Sequence, residues 1–220
     1  MKECPTPWNS LPAGQMDLKL VITDMDGTLL DADGKVPTEF WPLLEVMQQR
    51  GISFAPASGR QFATLEREFK RADGVSFIAE NGSLVIHDGE PLFTATVDTD
   101  LTLQVINDSR QASTSRDLGL VVCGVQSAWI ERTDSAFVDE VSRYYAKLKV
   151  TDDLMLVNEP ALKLAVFDAN GSQGAFDTVF ARYANSHQVV ISGKHWLDIM
   201  RPDVNKGRAV SALQERLGVT

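Results

Sequence analysis

The run Val21-Ile-Thr-Asp-Met-Asp-Gly-Thr-Leu-Leu30 constrains the fold of this chain more than any other stretch. Led in by Leu18-Lys-Leu20, its first half is apolar and β-branched, the pattern of a strand buried on both faces in a parallel sheet. It ends in two acids. Side chains two apart on an extended segment point the same way, so Asp24 and Asp26 are expected to share one site past the carboxyl end of the strand. Open α/β sheets bind their ligands there.

Gly27 supplies a backbone free to take positive φ and Thr28 a hydroxyl, so the chain can turn sharply while Asp26 stays aimed at the site. That geometry suits phosphoryl transfer. One carboxylate attacks phosphorus to form an acyl phosphate. The other, held near a like charge that favours its protonated form, protonates the leaving oxygen and later activates water. A hard divalent cation, Mg²⁺ by preference, offsets the crowded charge, which makes Asp24 and Asp26 the expected metal-binding residues. A calcium loop begins with similar acids, but Leu29 and Leu30 stand where further oxygen ligands belong, and no Glu closes the loop.

Downstream, Pro37-Thr38 opens a helix with Phe40, Leu43, Leu44 and Met47 at helical spacing, and Gly51 stops it. Ile52 to Ala57 reads as a second strand with Pro56 placed at its end, since proline gives no ladder donor. A right-handed crossover brings Ser58-Gly-Arg60 to the end of the sheet that carries Asp24. Ser58 can hydrogen-bond a phosphoryl oxygen or cap the helix expected from Gln61, and Gly59 lets the main chain come close to an anion. Arg60 either reaches the substrate phosphate or is a solvated helix residue.

Val75 to Ala79 is a third strand ending in Glu80-Asn-Gly82, where Asn81 serves a tight turn or a polar contact on the same rim. Ser83 to Ile86 and Pro91 to Val97 form a hairpin. From Asp98 the pattern becomes a separate α+β unit, with helices expected over 101–115, 136–148 and 174–183. In that unit Gln126, Ser127, Lys163 and His195 are polar residues able to face a site below. Asn205-Lys-Gly207 then opens a last helix with Val210, Leu213 and Leu217 on one face and Asn205 as its cap. Lys206 at a helix start opposes the helix dipole, a small cost that makes sense if its ammonium neutralises a nucleophile and a transferring phosphoryl group.

Together these segments resemble a known family. Thr23-Asp-Met-Asp-Gly-Thr-Leu-Leu30 looks like the first motif of the haloacid dehalogenase-like (HAD) phosphatases. Ala57-Ser-Gly-Arg60, Ala79-Glu-Asn-Gly82 and Asn205-Lys-Gly207 resemble further landmarks of their Cof-type class IIB branch, and Val122 to Trp129 is similar to the bacterial sugar phosphatases within it. The resemblance implies a Rossmann-like α/β core with a parallel sheet and an inserted α+β cap. The expected parts are a leader over 1–16, core over 17–97, cap over 98–194 and core again over 195–220. It implies catalysis by Asp24, Asp26, Ser58 and Lys206, substrate contacts from Gly59, Arg60 and Asn81, and Mg²⁺ between Asp24 and the main-chain carbonyl of Asp26. The expected substrate is a small phosphorylated metabolite, a sugar phosphate, which a lid over the catalytic end would select. A phosphosugar mutase and a catalytically silent sugar-phosphate-binding protein are the rival readings.

In the family, a strand after the last helix carries Gly-Asp followed by Asn-Asp and completes the metal site. Here the sequence given stops at Thr220, so the resemblance implies a shortened, impaired enzyme in which Leu20 to Thr23 is left as an unpaired edge.

Composition narrows the partners. A formal net charge of -9 argues against a nucleic-acid backbone or an anionic membrane surface, yet leaves room for a local phosphate site. Two cysteines, Cys4 and Cys123, make neither a disulfide framework nor a thiolate metal site and suit a reducing, cytoplasmic setting. No apolar run reaches the roughly 18 residues of a membrane span.

Overall fold

The computed structural model describes residues 17–219. The leader expected over 1–16 lies outside them. Two β-sheets organise the chain, and the architecture is mixed α/β.

The first sheet has the order β1 (Leu20–Asp24), β2 (Ser53–Ala57), β3 (Phe77–Ala79), β4 (Leu84–His87), β5 (Glu90–Thr94). β1, β2 and β3 run parallel, and β3, β4 and β5 antiparallel. Between β1 and β3 lie α1 (Phe40–Gln49) and α2 (Phe62–Glu68). Successive residues of β2 face opposite sides, which decides what packs where. Phe54 enters a core with Leu44 and Met47 of α1 and Leu65 of α2. Ala55 and Ala57 meet Ala209 and Leu213 of α6 (Lys206–Leu217), and their small side chains let that helix approach.

Several expectations are corrected here. β1 is half-buried rather than buried on both faces, and among the described residues it pairs with β2 alone, the sheet edge that the resemblance implies for Leu20 to Thr23. Leu43 is exposed although its neighbour Leu44 is fully buried. Pro56, expected at the end of its strand, is the last residue but one of β2 and pairs with Thr23. It is accommodated because its missing donor points toward β3, where Phe54 and Ser58 bond and the ladder between them is interrupted.

The second sheet has the order β10 (Gln188–Ile191), β11 (Trp196–Met200), β9 (Ala161–Asp168), β6 (Leu118–Gly124), β7 (Ala128–Ile130), β8 (Leu148–Val150). One face packs against α3 (Thr99–Ala112) and the helical segment that starts with α5 (Ser172–Ala175). The other face receives Phe137 and Val141 of α4 (Ser135–Ser142). Asp98 and Asp134 cap α3 and α4 by accepting from the amides of Leu101 at 2.8 Å and Phe137 at 3.2 Å. The helix expected over 136–148 stops at Ser142, and Leu148, its last expected residue, instead opens β8, which pairs parallel with β7. β11 pairs with β9 and β10, so the return to the first unit comes at Arg201 rather than at residue 195. Among the described residues, no helix is long and apolar enough to cross a membrane.

Candidate active site

Asp24 ends β1, and the chain then makes one wide turn closed by Leu30 N–H donating to the Met25 carbonyl at 2.9 Å. The Met25 side chain is fully buried and pins the turn. Gly27 takes φ +72°, the left-handed conformation its position requires. Asp24 Oδ1 accepts from the Met25 amide at 2.9 Å and from Lys206 Nζ at 2.6 Å. Both carboxylates remain open to a ligand, with side-chain exposures of 49% for Asp24 and 65% for Asp26.

Ser58 follows β2 and is 1% exposed. Its hydroxyl oxygen accepts from the Arg60 amide at 3.1 Å, which leaves the hydroxyl hydrogen to donate elsewhere. Arg60 forks onto Asp26 through Nε at 3.2 Å and a terminal nitrogen at 2.7 Å, while its other nitrogen holds Glu68 at 2.6 Å. It is therefore neither solvated nor free. The Arg60 guanidinium is the group in direct contact with the Asp26 carboxylate. Burial pushes the Glu68 carboxyl up, and Arg60 opposes that rise.

Asn81 takes φ +59° and also makes a polar contact, donating through Nδ2 to Asp198 Oδ2 at 2.9 Å. It serves the tight turn, and its polar partner is a carboxylate of the facing wall. A Cβ on Gly59 would come within 2.6 Å of Asn81 Oδ1, so glycine lets these two loops meet. Gly82, at φ +98°, carries a similar constraint: a Cβ there would sit 2.6 Å from the Asn205 carbonyl oxygen. Asn205 caps α6 by accepting from the Arg208 amide at 2.8 Å. The 80–82 turn thus seats the start of α6, and this seat carries Lys206 to Asp24.

Asp24, Asp26, Ser58, Gly59, Arg60, Asn81 and Lys206 all line one cavity of about 410 Å³. Its opposite wall comes from the second sheet together with α4 and the turn after it, and includes Glu140, Tyr144, Lys163, His195, Trp196 and Asp198. Tyr144 and Trp196 meet edge to face at 5.6 Å, and Trp196 Nε1 donates to Glu140 at 3.2 Å. Gln126 and Ser127 do not reach the cavity, because their amides turn to the Glu159 carboxylate.

Sequence reasoning missed the clasp between the two units. Gln61 Nε2 donates to the Lys147 carbonyl at 3.1 Å and its Oε1 accepts from the Lys147 amide at 2.9 Å. Thr64 Oγ1 donates to the Tyr144 carbonyl at 2.8 Å and accepts from the Ala146 amide at 3.0 Å. Two buried polar side chains at a helix start, with no local partner in the sequence, were the available signal.

The donors present suit Mg²⁺. Asp24 Oδ1 is used by Lys206 and Met25, which leaves Oδ2 as a hard anionic oxygen. Both Asp26 carboxylate oxygens face Arg60, so a role for Asp26 falls to its main-chain carbonyl. Among the described residues, no group of three His, Cys, Asp or Glu side chains gathers around a common point. This set matches a cation that keeps several waters and takes one or two carboxylates plus a substrate phosphate.

The profile of the haloacid dehalogenase-like hydrolases matches residues 21–220. The chain is 28% identical over 211 residues to the 5-amino-6-(5-phospho-D-ribitylamino)uracil phosphatase YbjI of Escherichia coli (strain K12), covering 93% of this chain and 76% of that protein. A haloacid dehalogenase-like hydrolase from Bacteroides thetaiotaomicron shares the fold with a TM-score of 0.79 at 20% identity, over 92% of this chain and 78% of that one. The HAD subclass IIB sugar phosphatase BT4131 does so with a TM-score of 0.73 at 11% identity, over 92% and 77%. The chain belongs to the haloacid dehalogenase-like hydrolase family, among its Cof-type phosphatases.

Proposed function

We propose that this chain hydrolyses phosphomonoesters of small sugars or sugar alcohols through an aspartyl phosphate on Asp24. The observation that carries the reading is the meeting of Asp24, Asp26, Ser58 and Lys206 on one cavity, with Lys206 Nζ 2.6 Å from Asp24 Oδ1. An Asp24 oxygen attacks phosphorus, and the ester P–O bond breaks. Released from the Arg60 fork as substrate binds and entering this step protonated, Asp26 gives its proton to the leaving oxygen, which departs as an alcohol. Asp26 then takes a proton from water as the water oxygen attacks phosphorus. The acyl P–O bond breaks, releasing inorganic phosphate and restoring the Asp24 carboxylate.

The Lys206 ammonium and the Ser58 hydroxyl hold the phosphoryl oxygens, with Gly59 and Asn81 shaping the rim and Arg60 fixing Asp26 between steps. Asp24 Oδ2 and the Asp26 carbonyl would hold Mg²⁺, which when bound would supply Lewis-acid stabilisation of the charge on the phosphoryl group. With two protein donors and, among the described residues, no third acid gathered beside them, the chain is proposed to hold Mg²⁺ weakly and to turn over slowly. The proposed setting is the cytoplasm, in keeping with the free, buried thiol of Cys123.

A second reading of the substrate has its own observation. The Tyr144 and Trp196 pair on the far wall offers apolar ring surface to a flat group. The relative named above acts on a phosphorylated ribityl chain joined to a uracil. A sugar-alcohol phosphate bearing a planar ring fits this wall better than a bare hexose phosphate.

The test is release of inorganic phosphate with Mg²⁺ from a panel of sugar phosphates, polyol phosphates and ring-bearing phosphomonoesters. Phosphate release supports a hydrolase. An isomeric sugar phosphate as product would make the protein a mutase, and saturable binding without any product would make it a silent binder.

A further inference from the structure

Lys163, in the middle of β9, is 3% exposed, yet its ammonium reaches out of the second sheet into the loops of the first. Nζ donates to the Gly59 carbonyl at 2.6 Å, lies 3.0 Å from Glu80 Oε2 and stands 3.7 Å from Asp198 Oδ2. Gly59 and Glu80 follow β2 and β3, whereas Asp198 belongs to β11. Asp198 Oδ2 in turn accepts from Asn81. One ammonium therefore closes a ring through both phosphate-side loops and the opposite wall. Burial alone would strip its proton, but Asp198 and Glu80 outweigh that and keep it charged.

What it holds matters more than how many partners it has. Among the described residues, Lys163 is the donor that satisfies the Gly59 carbonyl. That carbonyl belongs to the peptide whose N–H, on Arg60, donates to Ser58 Oγ at 3.1 Å. A cation on the carbonyl polarises the peptide and strengthens this N–H as a donor. It also fixes the plane from which the Ser58 hydroxyl and the Arg60 fork on Asp26 both hang.

We propose that Lys163 is a positioning residue of the phosphoryl-binding loop: from the facing sheet it fixes the Gly59 carbonyl and so aims Ser58 and Arg60. This rests on the phosphoryl-transfer reading of the site given above. The competing role for a buried ion cluster is to hold two units together, and the two roles differ in what they move. A clamp changes stability alone. A positioning residue changes phosphate binding in protein that remains folded.

The test uses the 220-residue chain with Mg²⁺ and three measurements: inorganic phosphate binding by calorimetry, thermal unfolding, and kcat and KM for p-nitrophenyl phosphate. Lys163→Met strands two buried carboxylates and risks unfolding, so Lys163→Met with Glu80→Gln removes the charge and its nearest counter-charge together. The double variant is expected to melt cooperatively while its phosphate Kd and its KM rise together by roughly tenfold to a hundredfold, the size of one charge-assisted hydrogen bond. Phosphate binding within about twofold of the parent, or a double variant that does not fold, would assign the lysine a purely structural role and overturn the proposal. Ser58→Ala separates the two levels. If it weakens phosphate binding and the lysine variants do not, only the role of Lys163 fails; if it leaves binding and turnover unchanged, the reading of the site fails as well.

Discussion

Lys206 Nζ and Asp24 Oδ1 lie 2.6 Å apart although 182 residues separate them in the chain. The contact exists because α6 starts on the 80–82 turn, and that turn follows the strand two places from β1. The pairing of Lys206 with Asp24, the proposed nucleophile, is thus set by backbone packing remote from both residues.

Lys206→Met tests this charge. The pair is half-exposed and contributes only about 0–1 kcal/mol to stability, so the unfolding midpoint should barely move. Hydrolysis of p-nitrophenyl phosphate should fall roughly a hundredfold or more, as when a preorganised electrostatic donor is removed. Steady-state kinetics beside a urea titration read both quantities.

Gly82→Ala tests the seat. Its φ of +98° and the 2.6 Å approach of a Cβ to the Asn205 carbonyl leave no room for a methyl group. The expected cost is about 1–3 kcal/mol of strain, with turnover falling further than stability because Lys206 is displaced. Urea denaturation and hydrolysis on one preparation give the two values. Unchanged turnover would show that the seat does not position the lysine.

Much of this arrangement was legible from local chemistry. Two acids two residues apart after an apolar strand, a glycine at a left-handed turn and a lysine behind an asparagine cap each speak through their immediate neighbours. What stayed hidden depends on partners distant in sequence. Arg60 could not be resolved between substrate and solvent because its partner Asp26 lies 34 positions away, in the turn after β1. Gln61 and Thr64 read as ordinary helix residues until the 144–147 segment arrives beside them. Leu148 ends the expected helical pattern, and only pairing with β7 puts it in a strand.

The buried ion cluster predicts a pH dependence. Burial pushes the Glu80 carboxyl above its ordinary 4.5, with Lys163 opposing. The folded protein then binds this proton more tightly than the unfolded chain, so the stability it confers is complete below about 4.5 and declines as pH rises through the folded value. Glu68 adds a contribution of the same sign. Urea midpoints between about pH 5 and pH 7 should fall with rising pH in the parent and fall less in Glu80→Gln. Parallel slopes in the two proteins would remove Glu80 from the account.

Cation dependence follows from the donors. Hydrolysis should vanish with a chelator, return with Mg²⁺ and saturate only at millimolar concentrations, on the order of what two protein donors support. Activity that is indifferent to a chelator would contradict the assignment of Asp24 Oδ2 and the Asp26 carbonyl as cation ligands.

The central claim is that Asp24 carries the phosphoryl group, and reductive trapping tests it without requiring fast turnover. Borohydride added during reaction with p-nitrophenyl phosphate reduces an acyl phosphate, and peptide mapping by mass spectrometry locates the reduced side chain. The account predicts homoserine at position 24, dependent on substrate and absent in Asp24→Asn. Reduction at Asp26, or substrate turnover with no reduced aspartate at all, would contradict it.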